Sequence, residues 1–485
     1  MANVFDGLKP EKVWQYFYDI CQIPHASKKE EKIIQYLLDF AAQHKLEAKK
    51  DGAGNVLICK AATAGMEKKK TIILQSHVDM VCEKNSDVQH DFDKDPIQPV
   101  IDNGWVKAKG TTLGADDGMG VAAALAILEA NDIVHGPIEC LFTVDEETGL
   151  TGAFALQPGF VKGTILLNLD SEDEGELFIG CAGGKGTIME MPFKRDKAPA
   201  GKTYKISVTG LKGGHSGGDI HVGLGNAVKI INRLLWNAAN NEGLRLSEIA
   251  GGNLHNAIAR EAFATVVIPQ DKAAAFEAYV KKFNQDVKDE LASVDPGLQV
   301  ACTVIENIET VIDADTQKKL LNSLYACPHG VIAMSADMPG LVETSTNLAS
   351  VKIDGDKIII GTSQRSSIES AKNDIADMVA AVFRLTGSEI KVGDGYPGWK
   401  PNVKSEILKI TSESYKRLFG KEPKVLAIHA GLECGIIGEK NPGMDMISFG
   451  PTLRDVHCPD ERIEIVTVDM FWKHLIDVLK SAPDA

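Results

Sequence analysis

Apolar runs that end in polar, chemistry-bearing residues recur along this chain. The first is Thr71-Ile72-Ile73-Leu74, which leads into Gln75-Ser76-His77-Val78-Asp79-Met80. Such a run predicts a buried strand that delivers its last side chains to a sheet edge. Residues i and i+2 share a face of an extended backbone, so His77 and Asp79 point the same way. The arrangement returns at 138–144, which runs into Asp145-Glu146-Glu147-Thr148-Gly149, and at 164–169, which delivers Asp170. It returns again at 425–428, ahead of His429 and Glu433, and at 444–449, ahead of a loop holding His457, Asp460 and Glu461.

Helical signals lie between these strands. Ser27-Lys28-Lys29-Glu30 has the form of a capping box opening a helix through Ile33, Ile34, Leu37, Leu38 and Phe40. A glycine-rich turn at 110–120 carries Asp116 and Asp117 into the apolar run 121–128, which predicts a buried helix with both acids at its N-terminus. Capping accounts for one acid, and the other has a different task. Near residue 200 the pattern changes. The stretch 203–210 alternates like a half-exposed strand, helices follow at 226–241, 271–293 and 368–387, and strand-like runs at 261–269, 298–307 and 351–361. That is an α+β unit inserted into a first domain whose buried strands resume at about 390. The fold class is α/β, with a mixed-sheet domain flanked by helices. It is built from about 1–200 and 390–485, with an insert at about 201–389.

Bulk properties narrow the function. At 485 residues two domains are expected, and 44% hydrophobic with 25% charged residues is the balance of a globular protein in water. A formal charge of −15 argues against nucleic acid or an anionic membrane as partner. Nine scattered cysteines without a C-x-x-C pair suit reduced thiols in a cytoplasm. Neither a signal peptide nor a membrane-spanning run is read.

The residues collected at predicted strand ends are His77, Asp79, Asp116, Asp117, Glu146, Glu147, Asp170, His429, Glu433 and His457. Imidazoles with many carboxylates suit Zn2+, Mn2+ or Co2+, and two ions sharing a bridging carboxylate use this many acids better than one. Such a pair activates water and polarises a carbonyl. A general base is still required, and either Glu146 or Glu147 can serve while the other binds metal.

Seven motifs in this order, Q-S-H-V-D-M, T-L-G-A-D-D-G, D-E-E-T-G, N-L-D-S-E, G-G-H-S-G-G, H-A-G-L-E-C-G and H-C-P-D-E, resemble the M20 family of co-catalytic metallopeptidases. The motifs look closest to its dipeptidase branch, which implies hydrolysis of dipeptides, Xaa-His among them. The resemblance implies that His77 and Asp170 bind one metal, His457 and Glu147 the other, and Asp116 bridges them. Zn2+ is the first expectation, Co2+ or Mn2+ the alternatives. Glu146 is then the general base, and Asp79 tunes His77 from behind. The insert becomes a lid whose His215 supports the oxyanion and through which two chains can form a homodimer. The substrate carboxylate calls for a guanidinium. Asn256-Ala-Ile-Ala-Arg260 resembles the family's Asn-x-Ile-Pro-Arg segment with alanine in place of proline, and Arg365 is the other candidate. Cys458 stands where relatives often have serine. A tripeptidase or an N-acyl amino acid deacylase of the same family would carry the same metal site, and a non-catalytic metal- or peptide-binding module is the rival of another class.

Overall fold

The computed structural model describes residues 4–485. Chain contacts divide it into two units, one running to Cys181 and resuming at 399–427 and 432–485, the other made of 182–398 and 428–431. The sequence pattern puts the first transition near residue 200. Contacts put it earlier because the strand Gly183–Pro192 pairs along its length with Lys357–Ser366, in the second unit's sheet.

In the first unit an eight-stranded sheet runs in the order Glu47–Lys50, Val56–Lys60, Ile138–Thr143, Ile72–His77, Ile165–Asn168, Asp445–Ser448, Glu176–Cys181, Lys424–Ile428. The strand Ile72–His77 is parallel to both of its neighbours, and Ile165–Asn168 is parallel to Asp445–Ser448. Pairs nearer the edges are antiparallel, so the sheet is mixed. Every residue of Ile72–His77 and Ile138–Thr143 is buried, which is why these strands read as continuous apolar runs. Parallel strands end on the same edge, so His77 and the segments that begin with Asp145 and Asp170 emerge together. The helix Ala115–Glu129 is buried at every position from Gly118 to Leu128. A small antiparallel sheet joins Leu453–Arg454, Arg462–Glu464, Trp105–Ala108 and Pro99–Asp102, and its first loop holds His457.

The second unit is an antiparallel sheet of nine strands, with the helices Ala227–Asn241, Ala273–Leu291, Ala314–Ala326 and Glu369–Arg384. Its core draws Ile231, Leu234 and Leu235 of the first helix together with Tyr204, Ile206 and Val208 of the strand Lys202–Thr209. Among the described residues no helix is long and apolar enough to cross a membrane.

Two local expectations give way. The run 351–361 is not one strand but the turn of a hairpin, Val342–Asp354 with Lys357–Ser366, closed at Gly355 with φ +60°. The apolar period continues across the turn, and only Asp354-Gly355 marks it. The capping box at 27–30 does not form. The helix Glu31–Gln43 has no side-chain cap. The Ser27 hydroxyl instead donates to Asp79 Oδ2 at 2.8 Å, and Glu30 Oε1 accepts the N–H of Lys28 and of Asp145.

Candidate active site

The strand Ile72–His77 ends on a fully buried imidazole. His77 Nδ1 lies 3.0 Å from the backbone oxygen of Asp79 and 3.4 Å from its Oδ1, so the ring donates there and leaves Nε2 for other work. Nε2 is 3.1 Å from Asp116 Oδ1 and 3.4 Å from Asp170 Oδ1. On the other side, His457 Nε2 is 3.2 Å from Asp116 Oδ2 and 3.1 Å from Glu147 Oε2. Asp116 therefore sits between two histidines, with one oxygen on each.

Charge follows geometry. Burial works against a protonated His77, but the Asp170 charge and hydrogen bonds with Asp116, Asp170 and Asp79 hold its pKa well above the ordinary value. Hydrogen bonds with Asp116 and Glu147 push His457 up to about 11. Both nitrogens lie where the protein favours positive charge. Glu147 Oε1 is buried with no hydrogen-bond partner, an oxygen the polypeptide alone does not satisfy. The sets His77/Asp116/Asp170 and Asp116/Glu147/His457 each bring their donor atoms within 4.8 Å of one another. Nitrogen and carboxylate donors without thiolate suit Zn2+, Mn2+ or Co2+, so the residues present fit divalent cations.

The paired acids of the glycine-rich turn divide their tasks. Asp117 Oδ1 accepts the N–H of Gly120 at 3.1 Å, which caps the helix, while Asp116 is left to face the histidines. A Cβ on Gly120 would lie 2.3 Å from Asp117 Oδ1 and 2.6 Å from Ser76 Oγ, so the turn needs glycine there. Burial pushes Asp117 up to about 8. The three acids after Ile138–Thr143 divide likewise. Asp145, with φ +52°, turns aside to accept the hydroxyls of Thr148 and Thr151, which frees Glu146 and Glu147. Asp79 holds that segment through the N–H of Glu146 on Oδ1 (3.0 Å) and of Glu147 on Oδ2 (3.2 Å). Burial, with repulsion from Glu433, Glu147 and Asp116, pushes Glu146 up to about 8 despite the pull of His77. A carboxyl in this setting is more basic than an ordinary glutamate, the direction a group that takes a proton needs.

Glu461 escaped the sequence inventory. Its carboxylate accepts the N–H groups of Leu113, Gly114, Ala115 and Asp116 at 2.7–3.4 Å, which locks the turn that presents Asp116. The signal was there: it is the last residue of H-C-P-D-E, buried where a surface acid would be exposed.

The second unit holds a different cluster. The segments around His215 and Ala257 pair by backbone, with the Ser216 N–H on Asn256 O at 2.8 Å and the Ile258 N–H on Gly214 O at 2.8 Å. Gly218 N–H donates to His215 Nδ1 at 3.0 Å, and Arg365 Nη2 approaches Nε2 at 3.3 Å. Both ring nitrogens thus face N–H donors, while a neutral ring has one acceptor nitrogen. Burial and the Arg365 charge lower the His215 pKa and keep it in that neutral form. Arg365 is buried and donates from Nη1 to Tyr396 Oη at 2.9 Å, whereas Arg260 is exposed beside a cavity that Lys212 also lines. His429 belongs to this cluster and not to the strand-end acids. Its Nε2 is 2.7 Å from Ser345 Oγ, and burial with the Arg365 charge pushes it down to about 3.

Comparison with known proteins shows the family. The model of peptidase family M20/M25/M40 matches residues 73–480. A cytosol non-specific dipeptidase of Escherichia coli is 44% identical over 477 residues, 98% of each chain. The crystal structure of an aminoacylhistidine dipeptidase from Vibrio alginolyticus superposes with a TM-score of 0.93 at 46% identity, covering 99% of this chain and 98% of that one. A tripeptidase from Staphylococcus aureus shares the fold at a TM-score of 0.57 and 17% identity, with 98% of each chain covered. The chain belongs to peptidase family M20/M25/M40 and is a metal-dependent peptide hydrolase.

Proposed function

We propose that the protein is a broad-specificity dipeptidase that uses two divalent cations, Zn2+ first and Co2+ or Mn2+ as alternatives, and that accepts Xaa-His among its substrates. The observation that carries this reading is Asp116, whose two oxygens face two different histidine nitrogens. His77 and Asp170 would hold one ion and His457 and Glu147 the other, with Asp116 common to both. Bound ions would polarise the scissile carbonyl and acidify the attacking water. Glu146 takes the proton from that water and passes it to the departing amine, for which its raised basicity fits it. Asp79 fixes both the His77 ring and the segment carrying Glu146.

His215 would support the developing oxyanion, and Arg365 would receive the substrate carboxylate. Burial beside His215 and Tyr396 ranks Arg365 above Asn256 and Arg260, which remain substrate-contact candidates. A lid role for residues 201–389, a homodimer through that unit and a cytoplasmic setting complete the reading. The E. coli and Vibrio relatives support dipeptides as the substrate class.

The test is elemental analysis of the purified protein, with assays of a neutral dipeptide and an Xaa-His dipeptide before and after chelation. Two metals per chain, with activity lost on chelation and restored by Zn2+, Co2+ or Mn2+, is the expected result. Bound metal with turnover only of tripeptides or N-acyl amino acids would replace dipeptides by those substrates.

A further inference from the structure

The buried carboxyl of Glu433 has no task in the chemistry above. It opens the helix Glu433–Lys440 without capping it, since no side-chain cap forms at that N-terminus. It is 1% exposed. Its Oε2 accepts hydrogen bonds from Gln75 Nε2 at 2.6 Å and from the Thr143 hydroxyl at 2.7 Å. Both donors are neutral, and both stand at the ends of the strands that deliver the reacting groups. Thr143 is the register partner of His77, and Glu146 follows Thr143 closely in the chain. Gln75 is itself fixed by Asn168, whose Nδ2 donates to Gln75 Oε1 at 2.7 Å.

The other oxygen, Oε1, is buried and has no hydrogen-bond partner. Glu433 belongs to neither metal-ligand triad, and among the described residues no lysine or arginine forms an ion pair with it. A buried carboxylate in this state is costly until a positive group pairs with it. The substrate class supplies one. In a dipeptide the α-ammonium is attached to the carbon next to the scissile carbonyl, so a group that binds it must lie beside the groups that handle that carbonyl. Glu433 meets this condition through Gln75 and through Thr143, the register partner of His77.

We propose that Glu433 receives the substrate's α-ammonium on Oε1 and so makes hydrolysis depend on a free amino group beside the attacked carbonyl. This assignment rests on the dipeptidase reading. It makes Glu433 a specificity-determining residue, while Gln75 and Thr143 hold its carboxylate in place.

The experiment compares alanyl-histidine with propionyl-histidine, which keeps the carbonyl and the leaving group but lacks the amine, for wild type and Glu433→Gln. Glutamine retains an oxygen for Gln75 and Thr143 and puts an NH2 where Oε1 was. The ratio of kcat/KM between the two substrates is expected to fall about 10- to 100-fold, chiefly through KM for alanyl-histidine, with bound metal unchanged. Glu433→Asp, which keeps the charge but withdraws it, is expected to lower the same ratio by less and covers the case in which Glu433→Gln does not fold. A merely structural Glu433 would depress both substrates alike, and an unchanged ratio in both variants overturns the assignment. Wild type that cleaves both substrates equally well also overturns it and leaves the dipeptidase reading standing. Wild type that cleaves neither, with metal restored, removes both.

Discussion

Two pairs of histidines in this protein sit in opposite electrostatic surroundings. His77 and His457, in the first unit, are ringed by Asp116, Asp170 and Glu147, carboxylates that favour a positive charge at each Nε2, a proton or a metal ion in its place. In the second unit His215, half-buried, and His429, buried, stand near Arg365 and are held neutral. The first arrangement attracts cations, and the second offers N–H donors and a guanidinium to anions. Peptide hydrolysis needs both kinds of site, one to activate water and polarise a carbonyl, the other to receive developing and permanent negative charge. The same side chain supplies either, according to what is packed around it.

The largest effect should come from removing the group shared by both histidines of the first pair. Asp116→Ala is expected to lose bound metal and to drop activity to background, as chelation of wild type would, with elemental analysis and dipeptide turnover as the readouts. Retained metal with full activity would break the cation-site side of the comparison. Glu146→Gln comes next. Loss of a positioned general base typically costs about 10²–10⁴-fold in rate, and the expected fall in kcat is of that size with bound metal unchanged.

The first unit's site was legible in the sequence because parallel strands bring their ends to one edge, so motifs far apart in the chain need only follow apolar runs to meet. Asp116 and Asp117 posed a question that their backbone answers, one acid capping and the other facing the histidines. What stayed hidden depends on contacts that no period encodes. Ser27 has the form of a cap but bonds to Asp79, and Glu461 looks like part of a surface acid run but binds four backbone N–H groups. His429 and Glu433 are sequence neighbours in one motif, yet the chain parts between them. His429 joins Ser345 in the second unit, while Glu433 joins Gln75 and Thr143 in the first.

The anion side is sharpened by its two arginines. Arg365→Lys removes a planar fork fixed by Tyr396, and kcat/KM for a dipeptide should fall roughly 10- to 100-fold, largely in KM. Arg260→Lys, at an exposed position, should change it less than about twofold. The reverse order would transfer the carboxylate contact to Arg260 and detach Arg365 from the substrate.

The smallest effect tests whether His429 is truly neutral. Its folded pKa of about 3 lies below the ordinary histidine value, first through burial and then through Arg365, with His215 and His221 adding to the push and the Val342 backbone opposing it. Between about pH 6.5 and that folded value the unfolded chain binds a proton that the folded chain refuses. The stability contributed by neutral His429 is therefore complete above about pH 6.5 and is lost as pH falls toward 3. The whole window is worth on the order of a few kcal/mol. His429→Gln removes this one titration, so its Tm should decline less steeply than that of wild type across the acid range, and the gap between the two curves should narrow or reverse as pH falls. Parallel curves would mean that His429 titrates like an ordinary exposed histidine, and the contrast between the two pairs would then rest on His215 alone.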